Sequence, residues 1–271
     1  MRNFIFGIVL VSILFSCNGY KEKNIKKTIS VTKKTPVEDS VNDGKIVSEG
    51  EFKNNFDILL PRSYRSYEGG NDAASLTEKW IELYLEYGEY RLGKANFKIE
   101  KDFDDCSGDS LMIIAPKNKV LVFMDYPELK VGKIESLKIK KSIIWPGEKL
   151  SLKFNNLQYD LRGEGKIISK SKTFTEDENE EDYYMVVEQY KLYLTIGNTS
   201  SKLLIAADAC DGDANVQLLF AGDIDGDGKL DFVFGADRNY EEERVILFLS
   251  SKAENGEAVK KVSEIAVQFD C

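Results

Sequence analysis

Histidine is absent from all 271 residues. That removes imidazole bases, Ser-His-Asp triads and His-ligated zinc together. An enzyme built on this chain would have to work with carboxylates, lysine, tyrosine or cysteine. Proline is scarce, with five in all, and no Pro/Gly/Ser-rich linker divides residues 46–271, so that stretch reads as one domain. Positive charge is short as well. Of 37 basic and 46 acidic side chains, 29 and 42 lie in residues 46–271, which are therefore about 13 units negative. A nucleic-acid partner generally needs a basic footprint and is disfavoured here. The apolar run Phe4 to Phe15 falls well short of the ~20 residues that cross a bilayer as a helix.

The same run has another use. Met1-Arg2-Asn3 is a short cationic start, the apolar stretch follows, and the small residue Ser16 stands just before Cys17. These are the parts of a secretory signal. Leu14-Phe15-Ser16-Cys17 resembles the bacterial lipobox, in which the cysteine receives diacylglycerol and becomes the first residue of the mature chain. The resemblance implies a signal peptide over residues 1–16 and a body held to a membrane through lipid on Cys17. Asn18 stands where inner-membrane lipoproteins carry Asp, and on that analogy the destination is the outer membrane. Residues 17–45 are rich in Lys, Thr and Ser with only isolated apolar side chains. Such a composition buries too little apolar surface to offset ordering entropy, so the segment is expected to be a flexible linker.

The body reads as β. Lys79 to Leu92 places Trp80 and Tyr84 at helical spacing, but its aromatic content and central Gly88 favour a hairpin. Leu111–Ala115 and Val120–Met124 are apolar runs joined by Pro116 to Lys119. Leu150–Phe154 and Leu157–Leu161 flank Asn155-Asn156, a turn signal. Tyr183–Ile196 alternates and meets Leu203–Ala206 across a polar turn, and Val216–Phe220, Asp231–Phe234, Val245–Leu249 and Val262–Phe269 complete the series. Many short strands with polar turns predict a mostly β fold, an antiparallel sandwich or barrel-like domain, with a partial β-propeller as the alternative. Thr173 to Asp182, with six acidic residues, is expected to be an exposed loop.

One segment carries chemistry. Asp223, Asp225 and Asp227 alternate through a tight loop in which Gly226 and Gly228 supply permissive backbone. Asp231 returns at the start of the next strand. Calcium takes six to eight oxygens from carboxylates, carbonyls and water. The expected ligands are the Asp223, Asp225, Asp227 and Asp231 side chains and the Lys229 carbonyl. Without a cation these charges would oppose one another. Position twelve from Asp223 is Phe234, not Glu, so the loop is not an EF-hand. It resembles the FG-GAP/VCBS calcium loop, which sits between two strands and binds its metal through the acidic residues matching these four. Two further acidic stretches, Asp102 to Asp109 and Asp208 to Asn215, lack the alternate spacing and read as polar turns.

With Cys17 lipidated, Cys106, Cys210 and Cys271 remain, and an exported protein favours a disulfide. Cys210–Cys271 is preferred and Cys106–Cys210 is the alternative. Three functions stay open: a non-enzymatic envelope lipoprotein with structural calcium and a protein or glycan ligand; a carboxylate-dependent hydrolase of glycans; and an inhibitor-type partner with an acidic docking face. A hydrolase needs two carboxyl groups facing one another across a cleft, and no spacing in the sequence nominates a pair.

Overall fold

A sheet with one wet face alternates apolar and polar residues, whereas a sheet buried on both faces reads as an unbroken apolar run. Asp231-Phe-Val-Phe-Gly-Ala236 and the run Val245–Leu249 are of the second kind, and they form the middle of the molecule. The computed structural model describes residues 52–67, 70–173, 182–211, 214–254 and 256–269. The signal segment, Cys17, the linker, residues 174–181 and Cys271 lie outside the described residues. Residues 49–271 make one compact unit.

The strands, in chain order, are β1 (Ile58–Leu59), β2 (Ser63–Arg65), β3 (Ile81–Glu86), β4 (Glu89–Lys94), β5 (Phe97–Asp104), β6 (Asp109–Pro116), β7 (Lys119–Met124) and β8 (Gly132–Lys133). They continue as β9 (Lys149–Phe154), β10 (Leu157–Thr173), β11 (Asp182–Ile196), β12 (Lys202–Cys210), β13 (Val216–Gly222), β14 (Asp231–Ala236), β15 (Glu242–Leu249) and β16 (Lys260–Gln268). Among the described residues the only helical piece is a single 3-10 turn, Asp72–Ser75. Four sheets result, with strand orders β1-β7-β3-β4-β8, β2-β6-β5, β12-β11-β10-β9 and β13-β14-β15-β16. Every ladder is antiparallel and none of the sheets closes into a barrel. The fold is therefore the expected mostly β, sandwich-like stack. Its last two sheets are four-strand meanders of the kind that make propeller blades.

The β13–β16 sheet is the shared layer. On one face Phe220, Val233, Val245 and Leu247 join the core beneath β1, β3, β4 and β7. On the other, Leu218, Phe232, Phe234, Ile246 and Phe248 join the core beneath β9–β12. Aromatic contacts tie the layers together: Tyr90 meets Phe220 edge-on with centroids 4.8 Å apart, and Tyr159 meets Phe232 at 6.3 Å. Complete burial of a phenylalanine ring such as Phe220 or Phe232 is worth roughly 1.5–3 kcal/mol.

Local chemistry explains the turns. Tyr87-Gly88 and Asn155-Asn156 each join two strands with positive φ at both residues, 50° and 81° in the first and 44° and 66° in the second. That is the two-residue hairpin turn whose twist matches the flanking strands. The hairpin reading of Lys79–Leu92 thus holds and the helical one does not. Pro116 to Lys119 does something else: it carries the chain from β6 in one sheet to β7 in another.

One expectation is corrected. Cys210, at the end of β12, is a buried free thiol, so neither Cys210–Cys271 nor Cys106–Cys210 forms. Its side chain packs into the core beneath β9–β12, and burial pushes the thiol up to about 11. The disulfide-bonded cysteine is Cys106, whose partner lies outside the described residues. Sequence spacing does not report which cysteine points into a core, and that alone decided the matter.

Candidate metal centre

The loop between β13 and β14 starts where two neighbouring strands can no longer pair. Gly222 opposes Asp231 as the last rung of the ladder, and the eight residues between them must turn back. Gly226 and Gly228 do so with φ of 79° and 83°, a region that side chains other than glycine enter only at a cost.

The carboxylates themselves shape the turn. Asp223 accepts from the Gly226 N–H at 2.8 Å through Oδ1 and from the Gly228 N–H at 2.9 Å through Oδ2. Asp225 Oδ1 accepts from the Asp227 N–H at 3.2 Å, and Asp227 Oδ1 accepts from the Lys229 N–H at 2.9 Å. As a result, one oxygen from each of Asp223, Asp225 and Asp227 falls within 4.8 Å of the others. The sequence-predicted triad is therefore brought together.

Asp231 takes a different place. It is fully buried, and its Oδ2 accepts from the N–H groups of Ile224 at 2.7 Å and Asp225 at 3.3 Å. Its Oδ1 accepts from the Ser250 N–H at 2.7 Å. Both oxygens are thus engaged by backbone, and the residue pins the start of the loop to the end of β15. Burial, reinforced by the charge of Asp225, pushes its carboxyl up to about 8. Asp223 is also raised, by burial first, with Asp225 and Asp227 adding to the effect and the Gly228 and Gly226 N–H groups opposing it. A cation among the three carboxylates would reverse the sign of the local field. Lys229, expected to contribute its carbonyl, also reaches Asp227 with its ammonium at 3.5 Å, a loose and solvent-exposed contact.

Several participants carry no signal in the loop's own sequence. Ser250 Oγ–H donates to Asp227 Oδ1 at 2.9 Å, and Ser251 Oγ–H makes a short bond to Asp225 Oδ2. Asn155, in the β9–β10 turn, donates to the Gly228 carbonyl at 3.0 Å. The buried Tyr159 hydroxyl accepts from the Leu230 N–H at 3.2 Å. Each comes from a strand or turn far off in the chain, and only the stacking of sheets brings them in. The donor set is oxygen alone, with neither histidine nor cysteine, and such a set suits a hard divalent cation such as calcium or magnesium rather than zinc or copper.

The other acidic stretches behave as turns. Asp104 and Asp109 close the β5–β6 hairpin, and Arg65 grips Asp104 Oδ2 through Nε at 3.1 Å and Nη2 at 2.8 Å. In the second stretch Asp211 bridges Ala214, and its two central residues lie outside the described residues. Comparison with protein-family models, with curated proteins and with solved structures finds no match to this chain.

Proposed function

We propose that this protein is a lipid-anchored envelope protein in which a calcium ion at Asp223, Asp225 and Asp227 stiffens a β body that works by binding rather than catalysis. The observation that carries the reading is the convergence of three carboxylates within 4.8 Å, against which the described residues set only a loose Lys229 contact to Asp227 and the more distant charge of Lys252. Like charges so placed oppose folding of the loop unless a counter-ion joins them. The Lys229 carbonyl, and Asp231 if it releases a backbone donor, would bring the protein ligands to five, with water or a bidentate carboxylate supplying the rest of the six to eight. The ion's role is structural on this reading, because the loop ties β13, β14 and β15 at the point where both cores meet. The lipid anchor rests on Cys17 and the residues before it, and the outer membrane on Asn18.

Binding is favoured over hydrolysis by the state of Glu89, which lines a groove together with residues of β3, β9 and β13. Glu89 pairs with Lys133 at 2.6 Å, and this pairing holds its carboxyl below the ordinary value. A general acid needs the opposite shift.

Thermal unfolding of the full chain carrying Cys17→Ala, with calcium added and then with a chelator, tests the metal. An ion that binds only the folded state at 100 to 1,000 times its Kd stabilises by about 2.7–4.1 kcal/mol. The melting temperature is expected to rise in calcium, and Asp225→Ala to abolish the rise. An equal melting temperature in both solutions would reduce the loop to a turn.

A further inference from the structure

A groove runs beside a strap that bows out of the central sheet. The strap touches the edge of β13 at two antiparallel bridges, Ser136 with Gly222 and Ile143 with Gln217. Between them it covers seven residue steps while β13 covers five. A regular ladder takes equal steps on both sides, so the surplus forces the strap away from the strand. Backbone bonds fix its two feet: the Leu137 N–H donates to the Ala221 carbonyl at 2.9 Å and the Leu218 N–H to the Ser142 carbonyl at 2.8 Å. With the feet bonded in this way and the span standing off the strand, a groove of about 970 Å³ lies alongside. That is the upper end of the size range of small-molecule sites, roughly 300–1,000 Å³.

Its lining mixes apolar side chains with charged and polar ones. Leu85, Tyr90, Leu137, Ile139, Phe154 and Leu219 supply the greasy surface. Lys133, at one end, is already neutralised by Glu89. Lys138 on the strap and Lys153 on β9 also line the groove, and among the described residues neither pairs with a carboxylate. Glu135 is the remaining acid. With Lys133, Lys138 and Lys153 set against Glu89 and Glu135, the lining is positive by one unit on a body that is about 13 units negative. An anion in this groove meets a charge partner together with apolar cover.

We propose that this groove binds a single-chain amphiphile with a carboxylate head, its tail along Leu85, Tyr90, Leu137 and Leu219 and its head between Lys138 and Lys153. The proposal deepens the binding role argued above by naming a ligand class. It does not depend on the metal, so a persisting calcium effect with no amphiphile bound would sink this inference alone.

The probe is 11-(dansylamino)undecanoate, titrated below micelle-forming concentration into the full chain with Cys17→Ala and followed by its fluorescence. One saturable site is expected, with displacement by dodecanoate but not by dodecyltrimethylammonium or acetate. The double variant Lys138→Glu, Lys153→Glu changes two exposed side chains and is expected to weaken binding at least tenfold with an unchanged melting temperature. No saturable binding to the unmutated groove would overturn the proposal. So would equal displacement by the cationic surfactant, which needs no variant to fold, and so would undiminished affinity in the double variant.

Discussion

Two acidic turns close two antiparallel hairpins in this protein, and they solve the same electrostatic problem differently. The β5–β6 turn neutralises itself. Arg65 forks onto Asp104 and, with help from the Cys106 N–H, holds its carboxyl below the ordinary range, and Cys106 ties the turn covalently to another part of the chain. The β13–β14 turn has no arginine and no disulfide. Its carboxylates crowd one another, and burial drives Asp223 and Asp231 the opposite way. The first turn carries its compensation in the chain; the second leaves a place for a charge from outside. Acidic residues in a turn therefore say little about metal until their partners are known.

The largest effect that sharpens this contrast is expected at Asp231. Its two oxygens satisfy three backbone N–H groups, two of them buried and one partly so, and Asp231→Ala would leave all three unpaired beside a cavity. A loss of about 3–5 kcal/mol is expected, since each enclosed backbone donor left unpaired costs about 1–3 kcal/mol, measured by urea denaturation with and without calcium. A loss under 1 kcal/mol would mean that the loop does not depend on its buried anchor.

Next comes the covalent tie. Cys106→Ser removes a disulfide, which typically costs about 2–4 kcal/mol. The two turns sit on different sheets and the hydrogen bonds described for them have no residue in common, so the loss should add to a calcium effect rather than alter it. Denaturation of the single variant in calcium and in chelator measures both quantities at once. A calcium shift that vanishes with Cys106→Ser would merge the two turns into one unit and break the comparison.

Much of this architecture is legible in the chain, for reasons that can be named. Val245–Leu249 announces a doubly buried strand because an apolar side chain on every residue has no wet face to serve. Asn155-Asn156 announces its hairpin because asparagine tolerates positive φ. The Asp223, Asp225, Asp227 spacing announces convergent carboxylates because a turn places alternate residues on one side. What stays hidden is non-local. The far end of β10 carries Lys166, Ser169, Lys170, Ser171 and Lys172, all exposed. It has no apolar face to mark it as strand, yet it pairs with β11 to the end. The change of sheet at Pro116 to Lys119 depends on partners chosen across the fold. Ser250 and Ser251 look like an ordinary strand end until β15 is laid beside the loop. The pairing of Cys106 and the isolation of Cys210 likewise follow from which side chains the core encloses.

Those two serines allow the finest test of the comparison. In the metal-free loop, the Ser251 hydroxyl donates to Asp225 and the Ser250 hydroxyl to Asp227, so neutral donors offset part of the charge that a cation would neutralise more fully. If calcium takes over the oxygen of Asp225, the Ser251 hydroxyl returns to water and its contribution disappears. Ser251→Ala is therefore expected to cost about 0.5–1.5 kcal/mol in chelator, the worth of one hydrogen bond, and close to nothing in saturating calcium. By linkage the variant should then bind calcium no more weakly, and slightly more tightly, than the parent, because the bond that competes with the ion is gone. Calorimetric titration of calcium checks the sign. An affinity that falls with Ser251→Ala would mean that the hydroxyl orients Asp225 for the metal instead of competing with it, and the β13–β14 turn would then be a preformed cation site rather than an uncompensated one.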